Sequence, residues 1–380
     1  MIENHLDLRS LAAGAALLAL TTAAVLAGDI PAAHAARVNA TCANTTADAA
    51  TIQTAINSSA VGDEVVVKGP CLLNATVKLL DDRTYRGDGS GTLIKQANGA
   101  NLAAMLASDT WVDNQTWVSS NVRVERLTLD GNRANNTGTT PLVLRTWDSR
   151  VYDVRVYNAP GDGIRLTTLS ASGVHLTNTA VNSIISDVQI DNVGGAGIRG
   201  VDPDNYLTDW VLERSWISNT GGSAVDLDNS AGWQIRDLHI YNVAKHAISA
   251  QRCYNTGIHD NYIEDFGAQG TSGTTYFGIR CTVQDRAPST IAGNKINQLA
   301  TFPAAGAFVS IGLDGVNGAG NGYVSVTGNA IIGTGSSRET GLSYAKGTGT
   351  SLTVASTGNL VTGVATTRSV GTGVTVTAGL

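Results

Sequence analysis

The chain has 380 residues, 42% of them hydrophobic and 15% charged, with a formal net charge of −6. That much apolar content with so little net charge excludes a disordered chain. The acidic balance excludes a general nucleic-acid binder and leaves open the charge of any local groove.

Residues 1–35 read as an export signal. Arg9 precedes the apolar run Leu11–Leu26, and Ala33-His34-Ala35 supplies the small-x-small pattern before a cleavage point. The run is short for a membrane span and no basic stop-transfer cluster follows it. The expected mature protein is therefore residues 36–380, a single secreted, extracellular domain with no membrane association. The four Cys suit an oxidising compartment. Cys42 with Cys71 and Cys253 with Cys281 are the sequence-local pairs, although spacing alone leaves the pairing open. No CxxC or Cys/His cluster points to zinc.

Helical periodicity is confined to Ala47–Ser58, where Ile52, Ala55 and Ile56 share a face and Asp48 stands near the start. The segments EVVVKG, ATVKLL and GTLIKQ follow as short strands divided by Gly, Asp and Asn. A repeat then sets in. The stretch YNAPGDGIRL (157–166) returns as DNVGGAGIRG (191–200), SNTGGSAVDL (218–227) and YNVAKHAISA (241–250). Val156, Ile190, Ile217 and Ile240 each end an alternating strand and are followed two residues later by Asn158, Asn192, Asn219 and Asn242. Eight residues after each apolar position stands a second strand centre: Ile164, Ile198, Val225 and Ile248. Each repeat thus holds a strand, an Asn-containing turn, a second strand and a variable return, the pattern of a solenoid. No turn of it buries its own apolar residues, so neighbours stack around one interior as parallel strands. The Asn side chains are expected to form an internal ladder.

The segment TIQTAINSSAVGDEVVVKGPCLLNATVKLLDDRTYRGDGSGTLIK (51–95) and the V-x-V-x-N…G-x-G-I-x-L rungs after it resemble the right-handed parallel β-helix proteins of the pectate-lyase-like superfamily. The resemblance spans roughly residues 45 to 335. It implies an all-β right-handed solenoid capped by an N-terminal helix, which prevents edge-to-edge association of the open sheet end. On this division, residues 45–62 are the cap, 63–335 the rungs, and 336–380 either last irregular rungs or a C-terminal cap. The fold hosts lyases, hydrolases, epimerases and adhesins, so it does not by itself name a chemistry.

With Ile164, Leu166, Ile198, Val225, Leu227 and Ile248 inward, alternation sends Arg165, Arg199, Asp226 and Ser249 outward. Thr167, Asp228 and Gln251 lie two residues beyond them, and Asp162, Ala196, Ser223 and His246 flank them on the other side. Arg280, from YFGIRC, joins the same face on the following rung. Polygalacturonase-like hydrolases carry Gly-Asp-Asp, Gly-His-Gly and Arg-x-Lys motifs on successive rungs of the corresponding strand. Here Gly161-Asp162 matches the first, but Gly163 replaces the second Asp and Ala196 replaces the His, while Gly278-Ile279-Arg280 matches the third in part. These departures imply relocated catalytic groups.

Asp226 and Asp228 are the best such pair. Their Cα atoms are expected roughly 6.6–6.8 Å apart, which overlaps the carboxyl spacing of inverting glycosidases. Asp162 lies two rungs away, and Arg165, Arg199 and Arg280 are expected to bind an acidic, pectin-like polysaccharide. The alternative is β-elimination on the same groove. There Asp202, Asp226 and Asp228 would hold Ca²⁺, Lys245 or His246 would act as base, and Val201-Asp202-Pro203-Asp204 is similar to a motif of alginate epimerases in this superfamily. The hydrolase reading needs no cofactor. A third reading is a non-catalytic glycan-binding or structural surface β-helix. A monomer is expected, with extracellular polysaccharide as partner. Trp111, Trp117, Trp147 and Trp233 are read as covering loops, His175 and His259 as structural, and Tyr157 and Tyr241 as rung packing. Loops 108–120 and 267–277 decide whether the outer face is open or walled.

Overall fold

The computed structural model describes residues 35–378 apart from 90, 119, 300–304 and 319. The expected export signal lies outside the described residues. Alternating Val, Ile and Leu positions leave one side of each short strand apolar, and such strands can hide that side only by closing around a common interior. They do so as three parallel sheets of 13, 11 and 11 strands, so each rung carries three strands rather than the two read from the repeat. The first sheet runs from Arg37–Thr41 to Val374–Thr377, the second from Cys71–Leu73 to Leu360–Thr362, and the third from Val77–Leu79 to Thr366–Val370. The extra strand lies in the variable return: Ile184–Ser186, Val211–Glu213 and Gln234–Arg236 stack in the first sheet.

The interior is a set of apolar columns. Ile164, Ile198, Val225, Ile248, Ile279 and Ile311 pair rung on rung and are fully buried. The turn from the second sheet to the third leaves no space for side chains. A Cβ on Gly194 would sit 2.2 Å from the Pro160 carbonyl oxygen, and one on Gly221 would sit 2.2 Å from that of Gly194, which explains why Gly recurs there. The capping helix forms as read, Asp48–Ser58, burying Ala49, Ile52, Ala55 and Ile56 against the first strands of all three sheets. Buried Asp48 accepts hydrogen bonds from the Ala43, Thr45 and Leu72 amides at 2.9–3.0 Å and so ties the helix start to the first rung. Beside it the Cys42–Cys71 disulfide closes; Cys253–Cys281 links two later rungs. Residues 339–377 are neither irregular nor a separate cap, because their strands extend all three sheets in register.

The ladder of Asn158, Asn192, Asn219 and Asn242 exists but faces solvent, a correction to the expected internal ladder. All four hold φ of +51 to +54°, which suits Asn because it tolerates the left-handed region. Asn192 donates to Asn158 at 2.6 Å and Asn242 to Asn219 at 2.8 Å, whereas Asn219 turns to Asp191. The buried ladder stands at the corner between the first and second sheets. Asn261, Asn294 and Asn329 each pass an amide hydrogen to the next side-chain oxygen at 2.9 Å, and Asn359 ends the run by donating to the Val326 carbonyl oxygen at 2.8 Å.

Candidate functional site

The outer column of the third sheet is Val143, Arg165, Arg199, Asp226, Ser249, Arg280 and Gly312, in the order the alternation implies. Its N-terminal end is closed. Trp111, on the short helix Asp109–Val112, packs on Ala104, Ala107 and Val143, so the accessible groove begins at Arg165. The loop bearing that helix is stitched to the loop 168–178 through Ala171 N–H to the Trp111 oxygen (3.0 Å), Thr177 N–H to the Thr116 oxygen (2.8 Å) and Val118 N–H to Asn178 Oδ1 (2.9 Å). Fully buried Arg145 sits under both loops and donates to the carbonyl oxygens of Thr110, Gln115, Thr168 and Val174. On the opposite edge, residues 267–269 donate backbone hydrogen bonds to the Val243–Lys245 turn of the rung before. The face is therefore flanked on both edges.

Along this groove most charges neutralise one another. Asp162 accepts Arg165 Nε and Nη2 at 3.0 and 2.7 Å while its other oxygen accepts the Ala196 amide at 2.9 Å. Arg199 pairs with Asp226. Arg280 pairs with Asp314 at 2.7 Å and lies over the Phe277 ring. Asp314 was not read from the sequence, although it stands one rung above Thr282 on the same outer face. Among the described residues Asp228 and Lys245 are the groove charges left without an ion pair. The three arginines thus meet the groove already paired, so much of their charge is spent before any substrate arrives.

Val225 and Leu227 are inward and fully buried, while Asp226 and Asp228 are half-buried on the outer side of the same strand. Burial raises the Asp226 carboxyl above its ordinary value; Arg199 opposes the rise, Asp228 and Asp162 add to it, and Lys245 opposes it. A carboxyl held toward its protonated form by burial, beside a second carboxyl with no ion pair, is the two-carboxyl arrangement used in paired acid–base work.

His246 departs from its expected role as a base. Its Nδ1 accepts the Phe277 amide at 3.1 Å, so the neutral ring carries its proton on Nε2 and presents a donor. Burial, with help from Arg280 and Lys245, lowers its pKa to about 4 and keeps it neutral. Asp202 departs further. It is fully buried, and its two oxygens accept the Tyr206 and Leu207 amides at 2.8 and 2.7 Å and the Thr168 hydroxyl at 3.2 Å. It staples its own loop, so Asp202, Asp226 and Asp228 do not converge on a cation site. Among the described residues the one group of three such ligand atoms within 4.8 Å is Cys42, Asp48 and Cys71, and both sulfurs are in a disulfide.

Other readings also shift. His175 is not a lone structural residue, because its Nδ1 lies 2.6 Å from Asp204, which leaves Nε2 of an exposed ring facing solvent. The Asp-Pro-Asp sequence after the third-sheet strand was the available signal. His259 likewise has Asp260 at 3.1 Å. Trp111 and Trp233 are buried, as a covering role requires, whereas Trp117 and Trp147 are exposed. Tyr241 is exposed on the second sheet rather than packed between rungs, and exposed Trp216 was not singled out at all. No described helix is long and apolar enough to cross a membrane.

No protein-family model and no curated protein matches the chain. Solved structures do. The A-module of mannuronan C-5 epimerase AlgE4 from Azotobacter vinelandii is 18% identical and superposes over 88% of this chain and 96% of that one, with a TM-score of 0.54. The Dettilon tailspike protein (gp208) is 12% identical over 88% of this chain and 68% of its own, with a TM-score of 0.56. The Agl-KA catalytic domain is 13% identical over 91% and 68%, with a TM-score of 0.51. The fold shared with these structures is the right-handed parallel β-helix.

Proposed function

We propose that this protein is a secreted enzyme that hydrolyses glycosidic bonds of a polysaccharide lying in the third-sheet groove. The observation that carries the reading is the Asp226–Asp228 pair: one carboxyl pushed up by burial, the other without an ion pair, two residues apart on one strand face. Asp226 protonates the leaving oxygen and Asp228 activates water, the division of labour of an inverting glycosidase. Arg199 orients Asp226. Lys245, the unpaired cation, is the first contact for a uronate carboxylate, and the rims of Arg165 and Arg280 extend that preference along the groove. The balanced charge of the face argues for a polymer of modest acidity.

One observation, in the loop that flanks the groove, favours a second reading. An Asp-anchored His such as His175 suits proton abstraction next to a uronate carboxyl group, which is the first step of β-elimination and of the C-5 epimerisation named for the AlgE4 neighbour.

The test uses the protein from residue 36 onward on polygalacturonate, alginate and a neutral β-glucan, with and without Ca²⁺. New reducing ends, unsaturated-uronate absorbance and C-5 configuration are followed together, beside Asp226→Asn, Asp228→Asn and His175→Ala. Reducing ends that vanish in either Asp variant support hydrolysis. Absorbance or inverted C-5 centres that vanish in His175→Ala move the chemistry to proton abstraction. Silence on every polymer leaves a glycan-binding β-helix.

A further inference from the structure

We propose that the outer face of the second sheet carries a separate saccharide-binding site centred on Trp216. The outward column there reads Arg155, Gln189, Trp216, His239 and Tyr262, one residue per rung. The last three form a run of rings, with centroids 4.0 Å apart between Trp216 and His239 and 4.8 Å between His239 and Tyr262. Trp216 remains 43% exposed, a large apolar surface to leave in water on a chain this well packed.

The geometry gives that surface a direction. His239 covers one side of the indole, and the next rung offers Gln189 instead of another ring. The uncovered side opens into a hollow of about 510 Å³ lined by Arg155, Asp187, Gln189, Arg214, Trp216 and His239, within the roughly 300–1,000 Å³ usual for ligand sites. A second hollow of about 520 Å³ shares Arg155 and Gln189 and continues past Tyr157 and Asp191. Together they run along the solenoid axis, as a polymer chain would need.

The lining selects the ligand class. An aromatic face suits the C–H side of a pyranose, and planar donors and acceptors at its rim suit the hydroxyls. Arg155 and Gln189 make no side-chain hydrogen bond within the described residues, so their donors are available. Asp187 and Arg214 are paired with each other, which keeps the hollow near charge balance and disfavours a purely apolar occupant. The rings are also held before a ligand arrives. Trp216 Nε1 donates to Ser218 Oγ at 3.0 Å, Ser218 donates to Asp191 at 2.7 Å, and His239 and Tyr262 both bond Glu264. Fixed rings lose little freedom on binding.

The choice of saccharide as ligand leans on the polysaccharide reading above, but the site does not need the groove chemistry. Affinity electrophoresis in gels of polygalacturonate, alginate, β-glucan or galactomannan tests it with wild type, Trp216→Ala, Trp216→Phe and Gln189→Ala. We expect at least one polymer to retard the wild type, Trp216→Ala to weaken that binding on the order of tenfold, and Trp216→Phe to fall between. Cleavage of short soluble oligosaccharides stays at the wild-type rate. Unchanged retardation of a Trp216→Ala protein with a wild-type unfolding midpoint overturns the proposal, as does a wild type that no polymer retards. Should Trp216→Ala lose stability, Gln189→Ala decides: it lines the hollow without joining the rings, and full retardation in that variant also overturns the site. Failure of the groove reading registers separately, as absent cleavage with Trp216-dependent retardation intact.

Discussion

Replacing Arg145 by Met tests whether the groove wall is a built structure. Arg145 is fully buried, faces no carboxylate, and spends its donors on four carbonyl oxygens from two loops. Burial pulls its pKa down to about 10, so it is still a cation at neutral pH. Hydrogen bonds from a charged donor contribute roughly 1.5–3 kcal/mol each, but a desolvation cost of several kcal/mol stands against their sum. Met of similar length removes that cost and all four bonds, but the Thr110, Thr168 and Val174 oxygens still accept the Gln115, Leu176 and Ser170 amides, so the Gln115 oxygen alone loses its partner and the net loss is about 1–3 kcal/mol. Surface loops open locally at a small part of the global cost, so a loss of that size falls on the wall first. The wall segments 109–118 and 168–178 should therefore open while the sheets below stay closed. Hydrogen exchange resolved by peptide reads this directly: amides in those two segments lose protection, those in the Ile190–Ile240 column keep theirs, and activity on polymer falls. Wild-type protection in both loops refutes the reasoning, and a uniform loss across all rungs refutes the claim that the wall is a local unit.

The two Asn ladders should differ in stability. Asn294→Ala leaves the buried Asn261 N–H and Ile258 C=O unpaired, a loss of about 2–5 kcal/mol. Asn242→Ala loses one exposed bond at a positive φ, about 1 kcal/mol; equal shifts of the urea midpoint would contradict the burial argument. For the acid–base pair, kcat/KM should fall at high pH as Asp226 loses its proton. Because Lys245 holds the Asp226 carboxyl down, Lys245→Ala should move the alkaline limb to higher pH; movement the other way would remove Asp226 from the donor role. Asp109, in the wall helix, has its pKa raised by burial from 3.8 to about 6. The fold therefore disfavours its ionised form, a penalty absent below the unfolded value and fully present above the folded one. Asp109→Asn should stabilise the protein by about 1–2 kcal/mol at pH above that window, after discounting for solvent, and by nothing at the acid end, as thermal midpoints at the two pH values would show.

The groove column was legible because a strand alternates strictly, so an inward Ile164 or Val225 obliges Arg165 or Asp226 to face out. The Asn positions misled for a related reason. Asn158 and its successors recur because the turn needs a left-handed residue, and that requirement is met equally well at the surface. The interior ladder was also written in the chain, as Asn261, Asn294, Asn329 and Asn359 each following a left-handed Asp or Gly, but its members sit far apart and outside the most regular repeats. The third strand of each rung escaped notice because Ile184–Ser186 and Gln234–Arg236 are three residues long, too short to show a period. Asp202 looked like a ligand because a carboxylate beside Pro in a loop gives no sign of how many amides its loop will turn toward it.

By itself the sequence determined the repeat, the inward columns, the capping helix and the outward face on which Arg165, Arg199, Asp226, Asp228 and Arg280 meet, since each follows from local alternation and turn chemistry. Only the tertiary structure decided which of those charges remain available. Arg199 and Asp226 are 27 residues apart in the chain and Arg280 and Asp314 are 34 apart, so their pairing depends on how each variable loop sets the stagger of one rung on the next. Alternation fixes the side of the sheet on which a residue lies; the distance between two long side chains on that side is set by packing, and electrostatic partnership follows distance.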